Sequence, residues 1–324
     1  MSQHLCHLCG SVFIGTGFVC RVCKSKGLTI ESLYDIREED TDVPVEIPDG
    51  LKVGLYVTTM NQWNITRNAL MSLKNNTKYE FDTYIMDGAS TDGTPDKTRR
   101  DFPWVTVLEL DKPYWVSYAW NRVLEHALSK GYDYIGILNN DLLFKPGWLR
   151  LTLRCFIDDP DVGYASPVYE TAKGVIRERG KNRYGHYDTT NHWEGTSVVP
   201  HVWMPGACII LRREAVEDVG MFDENYYFGD DEVDYCVRLW HNGWKVVSNL
   251  DARIVHLVSV TIAEHGGHKG GRAAELKENY GVKYINPKEY FYQKWSVSDI
   301  DCIVETIRPE QEKAGITMRT VRIW

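Results

Sequence analysis

The sequence contains no run approaching the roughly 18 consecutive apolar residues of a membrane span, and its first residues lack the charged, apolar and small-residue succession of a signal peptide. The expectation is a soluble, cytoplasmic protein. Positive charge is not in excess: Lys plus Arg number 37 against 45 Asp plus Glu, a formal net charge of −8, which excludes a globally basic nucleic-acid binder. Beyond residue 23 cysteine is sparse. Cys155, Cys208, Cys236 and Cys302 are scattered and do not form a disulfide framework. With 43% hydrophobic and 25% charged residues, the composition of a disordered or low-complexity chain is also missing, so a full core is expected. The 324 residues suit one large or two ordinary domains. Trp (11) and Tyr (19) are plentiful, and such rings line sugar sites or simply fill cores.

The first compact unit is HLCHLCGSVFIGTGFVCRVCKSKG, in which Cys6 and Cys9 form one C-x-x-C and Cys20 and Cys23 a second. Each short loop turns two thiolates toward one point, so the two loops complete a tetrahedral zinc site. Zinc would supply folding energy that so short a segment cannot gather from apolar burial. Unmetallated thiols or a redox pair are the alternative, though a redox pair needs only one C-x-x-C. Residues 1–30 are therefore read as a zinc ribbon. Residues 31–50 carry Glu31, Asp35, Glu38, Glu39, Asp40, Asp42, Glu46 and Asp49 against Arg37 alone, and read as an acidic linker.

From residue 51 the pattern becomes strand alternating with helix. LKVGLYVTT is followed by a helix from about residue 64 with Ile65, Ala69, Leu70 and Leu73 on one face; then come FDTYIMD, WVTVLEL, a helix at about 117–129, and YDYIGILN. Repetition of this kind predicts an α/β fold with a mostly parallel sheet flanked by helices, whose ligands sit beyond the carboxyl ends of the strands. There the sequence places Thr58, Thr59, Met60 and Asn61, then Asp87 to Thr94, then Asn139, Asn140 and Asp141. Turn chemistry alone accounts for each run taken singly.

Taken together, these runs resemble a family 2 glycosyltransferase of the GT-A fold, over roughly residues 51–260. MDGASTDGTPD is similar to the family's base-binding turn, NNDLLF stands at its D-x-D metal motif, and MPGACIILRREAVEDVGMFDENYYFGDDEVDYCVRLWHNGWKV resembles its acceptor-side segment. The resemblance implies donor binding by Thr58, Thr59, Asp87, Ser90, Asp92, Asn121, Asn140, Asp141 and Gly206. Asp141 matches the last carboxylate of D-x-D, while Asn139 replaces the first. WVSYAWN keeps Asn121 but lacks the glycines that family members hold before it, so the wall of the donor pocket is expected to be bulkier or differently shaped. Asp231 and Glu232 stand at the acidic pair, with Glu232 at the position of the catalytic aspartate. His256 stands where similar enzymes have a further metal ligand.

The chemistry asks for an acid there independently, because a hydroxyl attacking an anomeric carbon must lose its proton. Asp230, Asp231 and Glu232 also favour the start of a helix, and Asp234 is better explained as the i, i+4 partner of Arg238. The reading is an inverting glycosyltransferase at residues 51–270, with a helical or irregular tail at 271–324 containing a helix near residues 272–280. Glu232 is the base and Asp231 the next candidate, and manganese or magnesium is held by Asp141 and His256. The donor is a uridine or thymidine diphosphate sugar. Glycine-rich AEHGGHKGGRA is read as a lid or a plain linker. A zinc-ribbon binding protein with an inactive transferase domain is the rival. A nucleotidyltransferase is disfavoured because no basic, glycine-rich phosphate loop follows the first strand.

Two local features point to an anionic acceptor. The ribbon has Arg21, Lys24 and Lys26 with no acid before Glu31, and residues 172–187 carry Lys173, Arg177, Arg179, Lys181 and Arg183 against Glu178. Phosphate-bearing glycans, lipid-linked intermediates and DNA with a hydroxymethylated base are the candidate acceptors. A solvated basic loop is the alternative.

Overall fold

A computed structural model of the protein describes residues 47–77, 79–170, 197–227, 229–257, 285–298, 307 and 309–315, with the backbone of short strands at 3–5, 12–14, 176–178, 186–187 and 320–321. Near the amino terminus β1 (Gln3–Leu5) pairs antiparallel with β2 (Val12–Ile14). Cys6, Cys9, Cys20 and Cys23 lie outside the described residues, as do Cys302 and the helix expected near 272–280.

The main body begins with β3 (Val53–Thr59), α1 (Trp63–Asn76), β4 (Asp82–Asp87), α2 (Thr94–Asp101), β5 (Val105–Glu109), α3 (Val116–Lys130) and β6 (Tyr134–Asn139). Here the expected alternation holds, and β3 lies parallel to both β4 and β6, with β4 parallel to β5. Then follow β7 (Leu142–Phe144), α4 (Trp148–Asp158), β8 (Val162–Glu170), β9 (Ile176–Glu178), β10 (His186–Tyr187), β11 (Val198–Pro200), β12 (Cys208–Arg212), α5 (Arg213–Val219), α6 (Asp231–His241), β13 (Lys245–His256), α7 (Pro287–Trp295) and β14 (Thr320–Val321). In this half the sheet is mixed, which corrects the mostly parallel expectation. β12 runs antiparallel between β6 and β8, while β13 runs parallel to β8 and antiparallel to β7 and β11. The reason is connectivity: strand-helix alternation lapses after α4, and crossover helices are what enforce parallel pairing.

Alternation along the strands builds two cores. Val53, Leu55, Val57 and Ile85 face Leu70 and Leu73 of α1 and Trp148, Leu153 and Phe156 of α4. Tyr56, Tyr84 and Met86 face Val123 and Leu124 of α3 and Val237, Leu239 and Trp240 of α6. Burial on both faces explains why these strands read as nearly continuous apolar runs. The face read from the spacing of α1 (Ile65, Ala69, Leu70, Leu73) is the buried one.

β13 is a single strand whose pairing with β8 is interrupted between Asn249 and Arg253 and then resumes. Asn249 makes the interruption: its Oδ1 accepts the Asp251 amide at 3.0 Å, and its Nδ2 donates to the Leu151 carbonyl at 2.7 Å. Among the described residues no helix is long and apolar enough to cross a membrane. Cys155, Cys208 and Cys236 are buried free thiols.

Candidate active site

Register aligns the strand ends. Thr58 is opposite Met86 and Asn139, and Thr59 opposite Asp87, so the residues after β3, β4 and β6 share one edge. Asp87 is fully buried. One of its carboxylate oxygens accepts the Ser90 amide at 2.7 Å and the other accepts the Ser90 hydroxyl at 2.6 Å. Burial pushes its pKa up and outweighs these bonds. Ser90 Oγ in turn accepts the Asn61 amide at 2.6 Å, while Asn61 Oδ1 accepts the amides of Thr91 (2.8 Å) and Asp92 (3.3 Å). Asp92 accepts the Trp63 amide at 3.0 Å, the Thr94 amide at 3.0 Å and the Thr94 hydroxyl at 2.5 Å. Burial works against its charge, but these bonds and the nearby Lys97 prevail and hold it below the usual carboxylate range. Two loops are thus knitted into one rigid cup, with Asn61 and Ala89 in the left-handed region. The sequence places Asn61 after β3 but gives it no role of its own; an asparagine tolerates that conformation and bonds the neighbouring loop.

Several expected donor-binding residues face inward. The alternation that puts Val57 toward α1 puts Thr59 there too. Its hydroxyl lies 2.8 Å from that of Thr66, and Asn140 Nδ2 donates to both at 3.1 Å. Thr58, on the other face, donates to the Leu138 carbonyl at 3.3 Å. Asn121 clamps the Gly-x-Phe-Asp-Glu turn formed by residues 220–224: its Oδ1 accepts the Phe222 amide at 2.8 Å, and its Nδ2 donates to the Phe222 carbonyl (2.9 Å) and Glu224 (2.8 Å). Gly206 makes room for Trp120, since a Cβ there would stand 2.4 Å from the indole Cη2. Gly206→Ala therefore overpacks the core and is expected to cost about 1–3 kcal/mol, lowering Tm by several degrees in a thermal melt. An unchanged melt would show that Trp120 can move away.

Asp141 and His256, distant in sequence, are brought together by the pairing of β7 with β13. His256 is opposite Leu142, and the Leu257 amide donates to the Asp141 carbonyl at 3.0 Å. Asp141 Oδ1 lies 3.4 Å from His256 Nε2, is buried, and has no hydrogen-bond partner. A hard oxygen and an imidazole nitrogen at this separation fit one divalent cation, whose adjacent ligands stand roughly 3 Å apart. Among the described residues no group of three or more His, Cys, Asp or Glu is poised to hold a metal.

The acidic pair begins α6. Asp231 is 3% exposed, and one of its oxygens is buried without a hydrogen-bond partner. Burial, joined by the charge of Asp230, drives its pKa up despite contact with the Glu232 carboxyl. Glu232 is half-buried. Asp234 is fully buried, and Arg238 Nε donates to it at 2.9 Å, as the spacing predicts. The acids and the Asp141–His256 pair lie on connected ground. Burial, then neighbours that include Tyr169 and Glu232, raise the pKa of Tyr164; Tyr164 and Tyr169 both donate to the Pro205 carbonyl, at 3.2 and 2.9 Å; and the Tyr169 ring meets that of His256 edge-on. Arg177, Arg179 and Arg183 have no described side chains. A groove of about 540 Å³ lined by Arg67, Lys74, Asp101 and Trp104 opens at the opposite edge, where β5 begins.

The covered α/β sheet thus brings a carboxylate cup and a carboxylate-imidazole pair to one edge. Residues 55–220 match the family model described as "Glycosyl transferase family 2", and the chain belongs to that family and is a glycosyltransferase enzyme. It is 28% identical over 246 residues to the N-acetylglucosaminyl-diphospho-decaprenol L-rhamnosyltransferase of Mycobacterium tuberculosis, covering 67% of this chain and 77% of that one. It is 29% identical over 179 residues to the pre-mycofactocin glycosyltransferase of the same organism, covering 48% of this chain and 37% of the relative. Among solved structures, a Pyrobaculum calidifontis mannosyltransferase in complex with GDP-Man and Mn2+ superposes with TM-score 0.53 at 19% identity, over 88% of this chain and 80% of that one. GalNAc-T7 with UDP, GalNAc and Mn2+ superposes with TM-score 0.55 at 13% identity, over 82% of this chain and 58% of that one. The GT-A-like nucleotide-sugar fold follows from these likenesses.

Proposed function

We propose that the protein moves a sugar from a nucleoside-diphosphate donor to a hydroxyl on a phosphate-bearing acceptor, with inversion at the anomeric carbon. The observation that carries this reading is the Asp141–His256 pair beside the cup held by Asp87 and Asp92 at one sheet edge. The acceptor hydroxyl gives its proton to Glu232 as its oxygen bonds to the anomeric carbon, and the bond from that carbon to the diphosphate breaks on the opposite side. Glu232 is the proposed base because it is half-buried, whereas Asp231 is buried and its pKa is raised by that burial. Asp141 Oδ1 and His256 Nε2 would hold manganese or magnesium, which when bound neutralises charge on the departing diphosphate.

A uridine or thymidine diphosphate sugar is the proposed donor. The phosphate-bearing acceptor is supported by the basic segment 172–187 and by the diphospho-decaprenol named for the mycobacterial relative. A thermal-shift screen of nucleotide sugars with manganese tests the donor assignment, because a ligand that binds the native state raises Tm. Failure of every nucleotide sugar to stabilise the protein would contradict it.

The proposal extends to a structural zinc on Cys6, Cys9, Cys20 and Cys23, a site suited to the reducing cytoplasm. Elemental analysis should find about one zinc per chain, lost when all four cysteines become serine. Zinc near zero in protein purified without chelator would remove the ribbon.

A further inference from the structure

Beyond the family match, which ends at residue 220, α7 is built into the acidic edge. Asn286 starts it, its side chain accepting the Lys288 amide at 3.0 Å ahead of Pro287. Its last turn reaches α6. Lys294 Nζ lies 2.7 Å from Asp223 and 2.8 Å from Asp234, bridging the Gly-x-Phe-Asp-Glu turn and the first turn of α6 with one ammonium. Trp295 Nε1 donates to Asp234 Oδ1 at 3.0 Å, and its ring stacks on His241 two turns further along α6. Tyr290 donates to Asp223 at 3.0 Å. Arg238, the other cation on Asp234, spends its remaining donors on the carbonyls of Val219 and Met221.

We propose that Lys294 is a positioning residue for the reaction, fixing the first turn of α6, and with it Glu232, against the turn that carries Asp223. Without the ammonium the two carboxylates repel each other, and Asp234 is too buried for water to take its place. Glu232 stands two residues before Asp234 on the same turn, so a shift of that turn moves the base relative to the acceptor hydroxyl. The cup around Asp87 and the Asp141–His256 pair have no bond to Lys294 and should bind nucleotide as before.

This inference rests on Glu232 as the base, and the experiment separates the two. Full-length wild type, Lys294→Met, Lys294→Arg, Trp295→Phe and Glu232→Gln are compared in steady-state sugar release. The substrate is whichever of UDP-glucose, UDP-N-acetylglucosamine, dTDP-rhamnose and GDP-mannose the wild type turns over fastest. Lys294→Met should lower kcat by about 10- to 100-fold with the donor KM within about twofold, and Lys294→Arg should recover most of the loss. A folded Lys294→Met with wild-type kcat, or a loss that Lys294→Arg does not relieve, overturns the proposal. If Lys294→Met fails to fold, Trp295→Phe decides. It removes the indole bond to Asp234 and leaves a smaller ring against His241, and should lower kcat severalfold at constant KM, and an unchanged kcat overturns the proposal. An inactive Glu232→Gln beside a fully active Lys294→Met removes the positioning role alone. An active Glu232→Gln removes the base assignment, and this inference with it.

Discussion

Glu232→Gln will lower sugar transfer by about 10²- to 10⁴-fold while nucleoside-diphosphate binding stays close to wild type. The amide keeps the shape of the side chain but cannot accept the acceptor's proton. The proposed function gives donor binding to the cup around Asp87 and to the Asp141–His256 pair, on other elements of the fold. Glu232 and Asp231 are adjacent but not equivalent. Asp231 is buried with its pKa raised, and Glu232 is the one with a share of the surface. Asp231→Asn should therefore cost less than Glu232→Gln. Steady-state transfer and nucleotide titration of both variants are the check, and a reversed order would move the base by one residue.

Asp141→Asn will weaken manganese-dependent nucleotide binding by about tenfold or more, equivalent to roughly 1.4 kcal/mol, and flatten the response to added manganese. Asparagine preserves the volume of a nearly buried side chain but removes the charge that a divalent cation needs. His256→Ala should act in the same direction, because the two side chains face each other at 3.4 Å. Nucleotide titration across a manganese series measures this. Equal affinity with and without manganese in the wild type would show that the pair does not hold a cation for the donor.

What could be read in the sequence was whatever depends on near neighbours. The spacing of Ile65, Ala69, Leu70 and Leu73 gave the buried face of α1, and the i, i+4 separation of Asp234 and Arg238 gave their ion pair. Strand ends could be located because turn-forming residues follow them, and this placed Asp87 and Asp141 at one edge. Strand alternation could have sent Thr59 inward, toward Thr66, and separated it from Thr58. Other roles depend on partners that only tertiary packing selects. Nothing local marks Asn121 as the clamp on Phe222, or Gly206 as the seat of Trp120. The mixed half of the sheet was hidden because antiparallel insertion of β12 is decided by long connections, not by residue pattern. Lys294 was hidden for the same reason, as an ordinary lysine in a helix whose two carboxylate partners lie on distant elements.

Stereochemistry tests the central claim most directly. Proton NMR of sugar released from a turned-over nucleotide sugar, recorded before the anomers equilibrate, reports which face of the anomeric carbon was attacked. Transfer in one displacement with Glu232 as base predicts that the first product is the anomer opposite to that of the donor. Release of sugar with retained configuration, or no release from any nucleotide sugar with manganese present, would contradict it.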